Sequence, residues 1–408
     1  MNAGDGLRAG VLALGVSAAT TLAGPVAASA APPAALYVAP NGSNHGTCSR
    51  QTPCATIIHA VAVAHAGDSV LVAPGTYRGQ VTVSKRLTLR AEGPGVEIDA
   101  TGATNGIALG VVFSTPTQPR PIGDASGSVV SGFTVKNATQ EGILALGSHL
   151  TLAGNIVANN DLGATAAGAS GECASEGSVP GDCGEAIHLA GVTKSVIAGN
   201  YVTGNTGGIL VSDEFGPTAF NRIIGNAVVN NASDCGITVP GHNPNALSST
   251  GARQPNKGGV YRNRISGNVV NGNGAAGIGF FAGGPGTASY DNVAEHNRVS
   301  SNGLPGVAMH THTPNADVNG NQVINNFFAR NGLGAPAFHQ PPGDPGTPVN
   351  KTTDLDIVSD PGATPITGSV IRGNLFTDAQ VGIWLVTTGR TKIAGNAFHN
   401  VDVHVRRS

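Results

Sequence analysis

The sequence predicts an all-β solenoid, a right-handed parallel β-helix with a short N-terminal capping helix. Three observations carry that prediction. The first is a repeat. The phrase x-Ile-x-Gly-Asn-x-Val-x-x-x-Asn occurs twice between Ser195 and His242, with landmarks Asn200 and Asn226 and partners five residues on at Asn205 and Asn231. The pair recurs as Asn155/Asn160, Asn268/Asn273, Asn297/Asn302 and Asn326/Asn331, with fainter copies around Phe133, Asn374 and Asn396. Successive first asparagines are 45, 26, 42, 29, 29, 48 and 22 residues apart, so the base period lies in the twenties and three long insertions break it. The second observation is that each repeat holds two or three short alternating runs and no helical period. The third is composition: 60 glycines but only 11% charged residues suit turn-rich coils. One repeat cannot bury its own apolar face, so coils must stack. A leucine-rich horseshoe would need a Leu framework that these repeats lack. Parallel β crossovers are right-handed. Asn suits the corners because it tolerates the left-handed region, and stacked Asn side chains can bond coil to coil.

The elements follow in order. Residues 1–30 read as an export signal: Arg8, an apolar run from Ala9 to Leu22, and a small-residue cleavage site at Ala28-Ser29-Ala30. That run is too short for a stable membrane span, and no other segment is apolar enough to cross a bilayer. Residues 31–408 read as one elongated domain, because the repeat runs through it without a break in kind. Residues 35–75 form the N-terminal cap and first coil. Ala35 to Val38 is a strand, and Thr56 to Ala66 is a short amphipathic helix with Ile57, Ile58, Val61 and Ala64 on one face. Ser69 to Val72 is the next strand, followed by a turn at Pro74 to Tyr77. A solenoid must hide its first open coil, and a small helix does so.

Net charge is −2, which gives no electrostatic footprint for nucleic acid. Five cysteines fit an oxidising compartment, secreted, periplasmic or cell-envelope. Cys48 with Cys54 and Cys173 with Cys183 bracket short loops and are paired on that basis. Cys235 is left over, with the parity of an inward, inert thiol. A monomer that leaves the membrane after signal cleavage is expected.

The segment YVAPNGSNHGTCSRQTPCATIIHAVAVAHAGDSVLVAPGTYRGQVTVSKRLTLRAEG resembles the N-terminal part of secreted right-handed parallel β-helix proteins. The later repeats resemble the pectin-lyase-like superfamily, in particular its NosD-like β-helix proteins. The resemblance implies the fold and its right hand. It does not choose an activity, because the superfamily hosts lyases, hydrolases, epimerases, binding proteins and tailspikes.

Three insertions, residues 161–184, 243–258 and 340–363, flank the strand of each coil that begins Gly-Ile. Loops at both ends of one stacked strand make walls around a groove floor. With Ile209, Ile237, Ile278 and Val307 pointing inward, alternation gives the outward residues. These include His188 and Thr238, then Ser212, Phe281 and His310, then Glu214, His242 and His312. Aligning NGLGAPAFH with NGLPGVAMH places His339 beside His310. Asp213 and Asp234 lie nearby. The predicted centre is therefore His310, His339, His312 and His242 with Asp213, Glu214 and Asp234, and the predicted substrate contacts are His188, Ser212, Thr238 and Phe281.

These residue types suit acid-base chemistry on an extended polysaccharide, by lyase, epimerase or hydrolase steps. Two other readings stay open: glycan binding without catalysis, and metal handling. No cofactor is predicted under the first reading. Under the metal reading His310, His312 and His339 would hold zinc or copper, although only two methionines argue against a Met-rich copper path. The floor positions carry no Arg or Lys to serve as the base of a calcium-dependent pectate lyase. Gly241-His242-Asn243 echoes only faintly the Gly-His-Gly of polygalacturonases, and the Asp-Pro-His-Asp string of mannuronan epimerases is missing.

Overall fold

The inward Ile and Val of each repeat form columns through the molecule. The column Ile143, Ile187, Ile209, Ile237, Ile278, Val307, Leu355 and Ile383 runs in register from coil to coil, and every member is fully buried. The computed structural model describes residues 33–113, 119–161, 185–334 and 352–408. The export signal and the predicted Cys173–Cys183 bond fall outside the described residues.

The described coils are a right-handed parallel β-helix. One parallel sheet runs from Ala35–Val38 through Val196–Ala198 to Lys392–Ala394. A second stack holds Gly75–Arg78, Tyr201–Thr203 and their equivalents, and a third holds the strands predicted to begin Gly-Ile. The antiparallel pair Val111–Phe113 with Pro119–Pro121 is an outlying ribbon.

Cap and first coil follow the sequence with small changes. The helix is Ile57–Val63, capped by Thr56, whose side chain accepts from the His59 N–H. Its C-terminal carbonyls accept from Lys85, whose Nζ donates to the Ala64 oxygen at 2.6 Å. Ala60 is buried in place of the predicted Ile58, which is exposed. The expected turn at Pro74 to Tyr77 is a strand from Gly75 to Arg78. Cys48 and Cys54 are bonded as expected.

The repeat asparagines form buried ladders. In the first, Asn155, Asn200, Asn226, Asn268, Asn297, Asn326 and Asn374 each pass an Nδ2–H to the next Oδ1 at 2.9–3.0 Å, ending on Asn396. Each rung is saturated. Asn200 Oδ1 accepts from both the backbone N–H and Nδ2 of Asn155, while its own Nδ2 serves the Leu152 carbonyl and Asn226. A second ladder runs from Asn160 to Asn331, and a third from Asn221 to Asn321 that the sequence reading missed. The left-handed corner is taken by the residue before the ladder Asn, rather than by the Asn itself: Gly199, Gly225 and Gly267 in one ladder, Asn230 and Ser301 in another.

The second ladder ends on a carboxyl. Asp354 Oδ1 accepts from Asn331 Nδ2 at 2.8 Å, but its Oδ2 is buried without a partner. Burial pushes this carboxyl up to about 7, partly opposed by the Asn331 bonds. An acid raised from its ordinary 3.8 destabilises the fold once it must ionise. The penalty is absent below about pH 4 and complete above about pH 7. Asp354→Asn should therefore raise stability on the order of 2 kcal/mol at pH 8 and change little at pH 4. Thermal melts of both proteins across that range check it; an equal difference at both ends would contradict the assignment.

Candidate functional site

Outside the Ile column, the strands Glu185–Thr193, Gly207–Ser212, Ile237–Gly241, Ile278–Ala282, Val307–Thr311 and Thr353–Ser359 stack in parallel and present a common outer face. One outer column reads His188, Leu210, Thr238, Gly279, Ala308 and Asp356. The next includes Pro240, Phe281, His310 and Val358. This corrects the predicted neighbour of His310. The stacked residue is Val358, not His339, because the following coil contributes TDLDIVS as its strand rather than NGLGAPAFH. The predicted insertion 340–363 thus contains the strand Thr353–Ser359, and His339 lies outside the described residues.

One centre is built around His188, which is 1% exposed. Its Nδ1 bonds Glu141 Oε1 at 2.9 Å, and its Nε2 bonds Ser212 Oγ at 2.8 Å and faces Glu214 Oε2 at 3.5 Å. Ser212 also donates to Glu214. Glu214 Oε1 then pairs with His242 Nδ1 at 2.8 Å. Burial alone would lower the His188 pKa, but Glu141 and Glu214 outweigh it and hold the imidazole well above its ordinary value. Burial would likewise raise Glu214; His188, then His242, hold it well below the carboxylate range. The result is an enclosed imidazolium between two carboxylates, with the mostly buried His242 at the outer end. Glu141 was missed by the sequence reading, although QEGI and GEAI align Glu141 with Glu185.

A second centre lies further along the same face. His310 Nε2 sits 3.3 Å from both oxygens of Asp356, and His312 Nδ1 lies 3.0 Å from Asp360 Oδ2. The Phe281 ring meets His310 edge-on at 5.5 Å, and His310 meets His312 edge-on at 5.8 Å. Phe281 lies over Gly279, where a Cβ would meet its ring at 2.2 Å and push it aside. The partners Asp356 and Asp360 were also missed; the alternation of Asp356 with Leu355 and Ile357 was their signal.

Other predicted residues hold the scaffold. Asp213 is fully buried and accepts backbone N–H bonds from His242, Asn243 and Gly259. It therefore ties together both ends of the wall 243–258. Burial pushes this carboxyl up to about 6 against the pull of those bonds. The same wall is pinned by Arg253, which pairs with Asp317 and Asp291 and lies over the Tyr290 ring. Asp234 is buried at the floor edge, beside Gly207 and Glu185. Thr238 is buried with no partner for its Oγ1. Cys235 is buried as expected but outside the coil interior, in a small cluster with Ala275, Ala276, Leu304, Ala308 and Phe281.

Replacing Asp213 by Ala should cost about 2 kcal/mol, as expected for orphaned buried donors. It should also speed hydrogen exchange at His242, Asn243 and Gly259. Unchanged exchange at those amides would contradict its role in closing the wall.

Residues 94–261 match the NosD family, described as periplasmic copper-binding proteins; the match covers less than half of the chain. The comparison with curated proteins finds no match. Among solved structures, the fold is similar to the A-module of a mannuronan C-5 epimerase from Azotobacter vinelandii, with TM-score 0.50 and 13% identity over 86% of this chain and 93% of that one. It is similar to the Dettilon tailspike protein, with TM-score 0.50 and 16% identity over 90% and 68%. It is also similar to the catalytic unit of an α-1,3-glucanase from Streptomyces thermodiastaticus, with TM-score 0.51 and 14% identity over 94% and 70%.

Among the described residues, Cys48, Cys54 and His59 are the one group of three His, Cys, Asp or Glu whose ligand atoms converge, and both sulfurs are spent in the disulfide. Met309 and Cys235 are buried, so the described residues assemble no copper site. Sequence match and fold together make the described coils a right-handed parallel β-helix, similar to the NosD family over residues 94–261.

Proposed function

We propose that this chain is an enzyme of the cell exterior or periplasm that performs acid-base chemistry on an extended polysaccharide laid along the outer face of the Gly-Ile strands. The observation that carries the reading is a pair of oriented imidazoles. Glu214 takes the Nδ1–H of His242, and Asp360 takes the Nδ1–H of His312. A carboxylate can only accept, so each pairing puts a proton on Nδ1 and orients the ring for acid-base work. His188, enclosed by Glu141 and Glu214, keeps Glu214 ionised and in place.

Stacked strands repeat about every 4.8 Å, which suits a polymer running along the coil axis. The likeness in fold to an epimerase of mannuronan and to a glucanase supports the polysaccharide class and assigns no residue. The Cys48–Cys54 bond, the leader-like residues 1–30 and the match to a periplasmic family support a site of action outside the cytoplasm.

His242→Ala and His312→Ala should each lower kcat about 100-fold or more on the polysaccharide that the wild type turns over, with unchanged melting. Full turnover by either folded variant would remove these residues from the mechanism. Retention of glycans by the wild type with no turnover of any would make the face a binding surface instead.

A further inference from the structure

Two corners of the same three coils are built differently. Before Asn200, Asn226 and Asn268 of the first ladder, the left-handed residue is glycine: Gly199, Gly225 and Gly267. Before Ser195, Asn221 and Asn263, which line up in the third ladder, it is Lys194, Phe220 and Arg262, at φ 52°, 61° and 54°. A side chain in that region costs backbone energy that glycine avoids, most of all for a bulky ring. All three side chains are exposed, Phe220 to 44%, so burial does not repay the cost. Backbone strain retained at an exposed position points to a use outside the fold.

The three residues form one ridge. The Lys194 N–H donates to the Ala219 oxygen and the Phe220 N–H to the Tyr261 oxygen, so successive coils set them about 4.8 Å apart. Arg222, two residues past Phe220, is exposed on the same ridge and in register with Arg264. Arg264 pairs with Glu295, and Asp291 on the following coil pairs with Arg253. Lys194, Arg222 and Arg262 have no acidic partner among the described residues. Tyr261 meets the Phe220 ring edge-on at 5.7 Å and itself stacks on Tyr290 at 5.0 Å, which braces the ring from one side. The Arg262 guanidinium lies 5.9 Å from the Phe220 centroid, at the outer limit of a cation–π contact, so its N–H groups are not spent there. The ridge lies past the wall 243–258, where Val260–Tyr261 turns into Arg264–Ser266 of the first sheet. The six strands of the Gly-Ile face, by contrast, contain no Lys or Arg.

We propose that this ridge is a second, non-catalytic binding site, and that it takes an acidic polysaccharide. Phe220 meets the apolar C–H face of one sugar ring. Lys194, Arg222 and Arg262 pair with the carboxylates of that sugar and its neighbours, the two guanidinium groups in forked geometry. Other anionic partners fit less well. A single aromatic side chain offers too little apolar surface to enter a bilayer, and a net charge of −2 works against a nucleic acid. The site makes and breaks no bond.

The test is affinity electrophoresis of the full chain through polygalacturonate, alginate and neutral dextran, beside sedimentation with phosphatidylglycerol vesicles and titration with duplex DNA. The expected result is retention by a polyuronate, weakened by salt, and none by dextran, vesicles or DNA. Phe220→Leu and the double variant Arg222→Gln/Arg262→Gln should each weaken retention about 10-fold. The double variant Lys194→Gly/Arg262→Gly is the sharper probe. It should raise Tm by a few degrees, because glycine relieves both corners, and still weaken retention about 10-fold. Unchanged retention in that folded variant overturns the proposal. So does equal retention by dextran, tighter binding to vesicles or DNA, or no retention by either polyuronate. None of these outcomes bears on His242 and His312, whose variants are read by turnover.

Discussion

The asparagine ladders are the constraint on which the other features depend. Each buried amide has two donors and one acceptor oxygen, and the coil geometry uses them on both neighbouring coils. A slip of one residue would leave the buried rungs unpaired and turn the Ile column outward. Register is thereby locked over the coils from Asn155 to Asn396. Only with register locked do side chains from coils tens of residues apart meet at hydrogen-bond distance, as Glu141 meets His188 at 2.9 Å and Glu214 meets His242 at 2.8 Å. The corners show the same economy. The left-handed residue is placed just before the ladder Asn, as glycine in about half of the rungs, so the Asn itself can turn its side chain into the stack.

On that frame the outer face holds charges that a protein interior would not tolerate singly. His188 is buried, yet it remains the charged form because two carboxylates enclose it. The cluster then continues outward through Glu214 to the mostly buried His242. The second centre uses the simpler device of one carboxylate per imidazole, and the aromatic edge of Phe281 closes it from the side. Asp213 contributes by holding the backbone of His242 and the root of the adjoining wall, a positioning role that a buried carboxylate fulfils through backbone N–H groups.

Much of this was legible in the sequence because periodicity is a long-range signal. The repeat gave the coils, and alternation from Ile209, Ile237, Ile278 and Val307 placed His188, Thr238, Phe281 and His310 on the outer face where the strands put them. The misses have physical causes. NGLGAPAFH imitates NGLPGVAMH, so the strand after Val307–Thr311 was sought one segment too early and Asp356 and Asp360 were passed over. Glu141 precedes its strand, where a corner breaks the alternation, so parity gave it no direction. The same break turns Cys235 out of the coil interior. Asp213 lies just past Gly207–Ser212, where its partners are backbone groups that no side-chain pattern announces.

The account rests on a polysaccharide lying along the outer face of the Gly-Ile strands, within reach of His242 and His312. A crystal structure of the His312→Gln protein with a bound oligosaccharide tests this most directly. It should show sugar rings along these strands, with a sugar oxygen near His242 or residue 312. An oligosaccharide bound only on another face of the coil would contradict it.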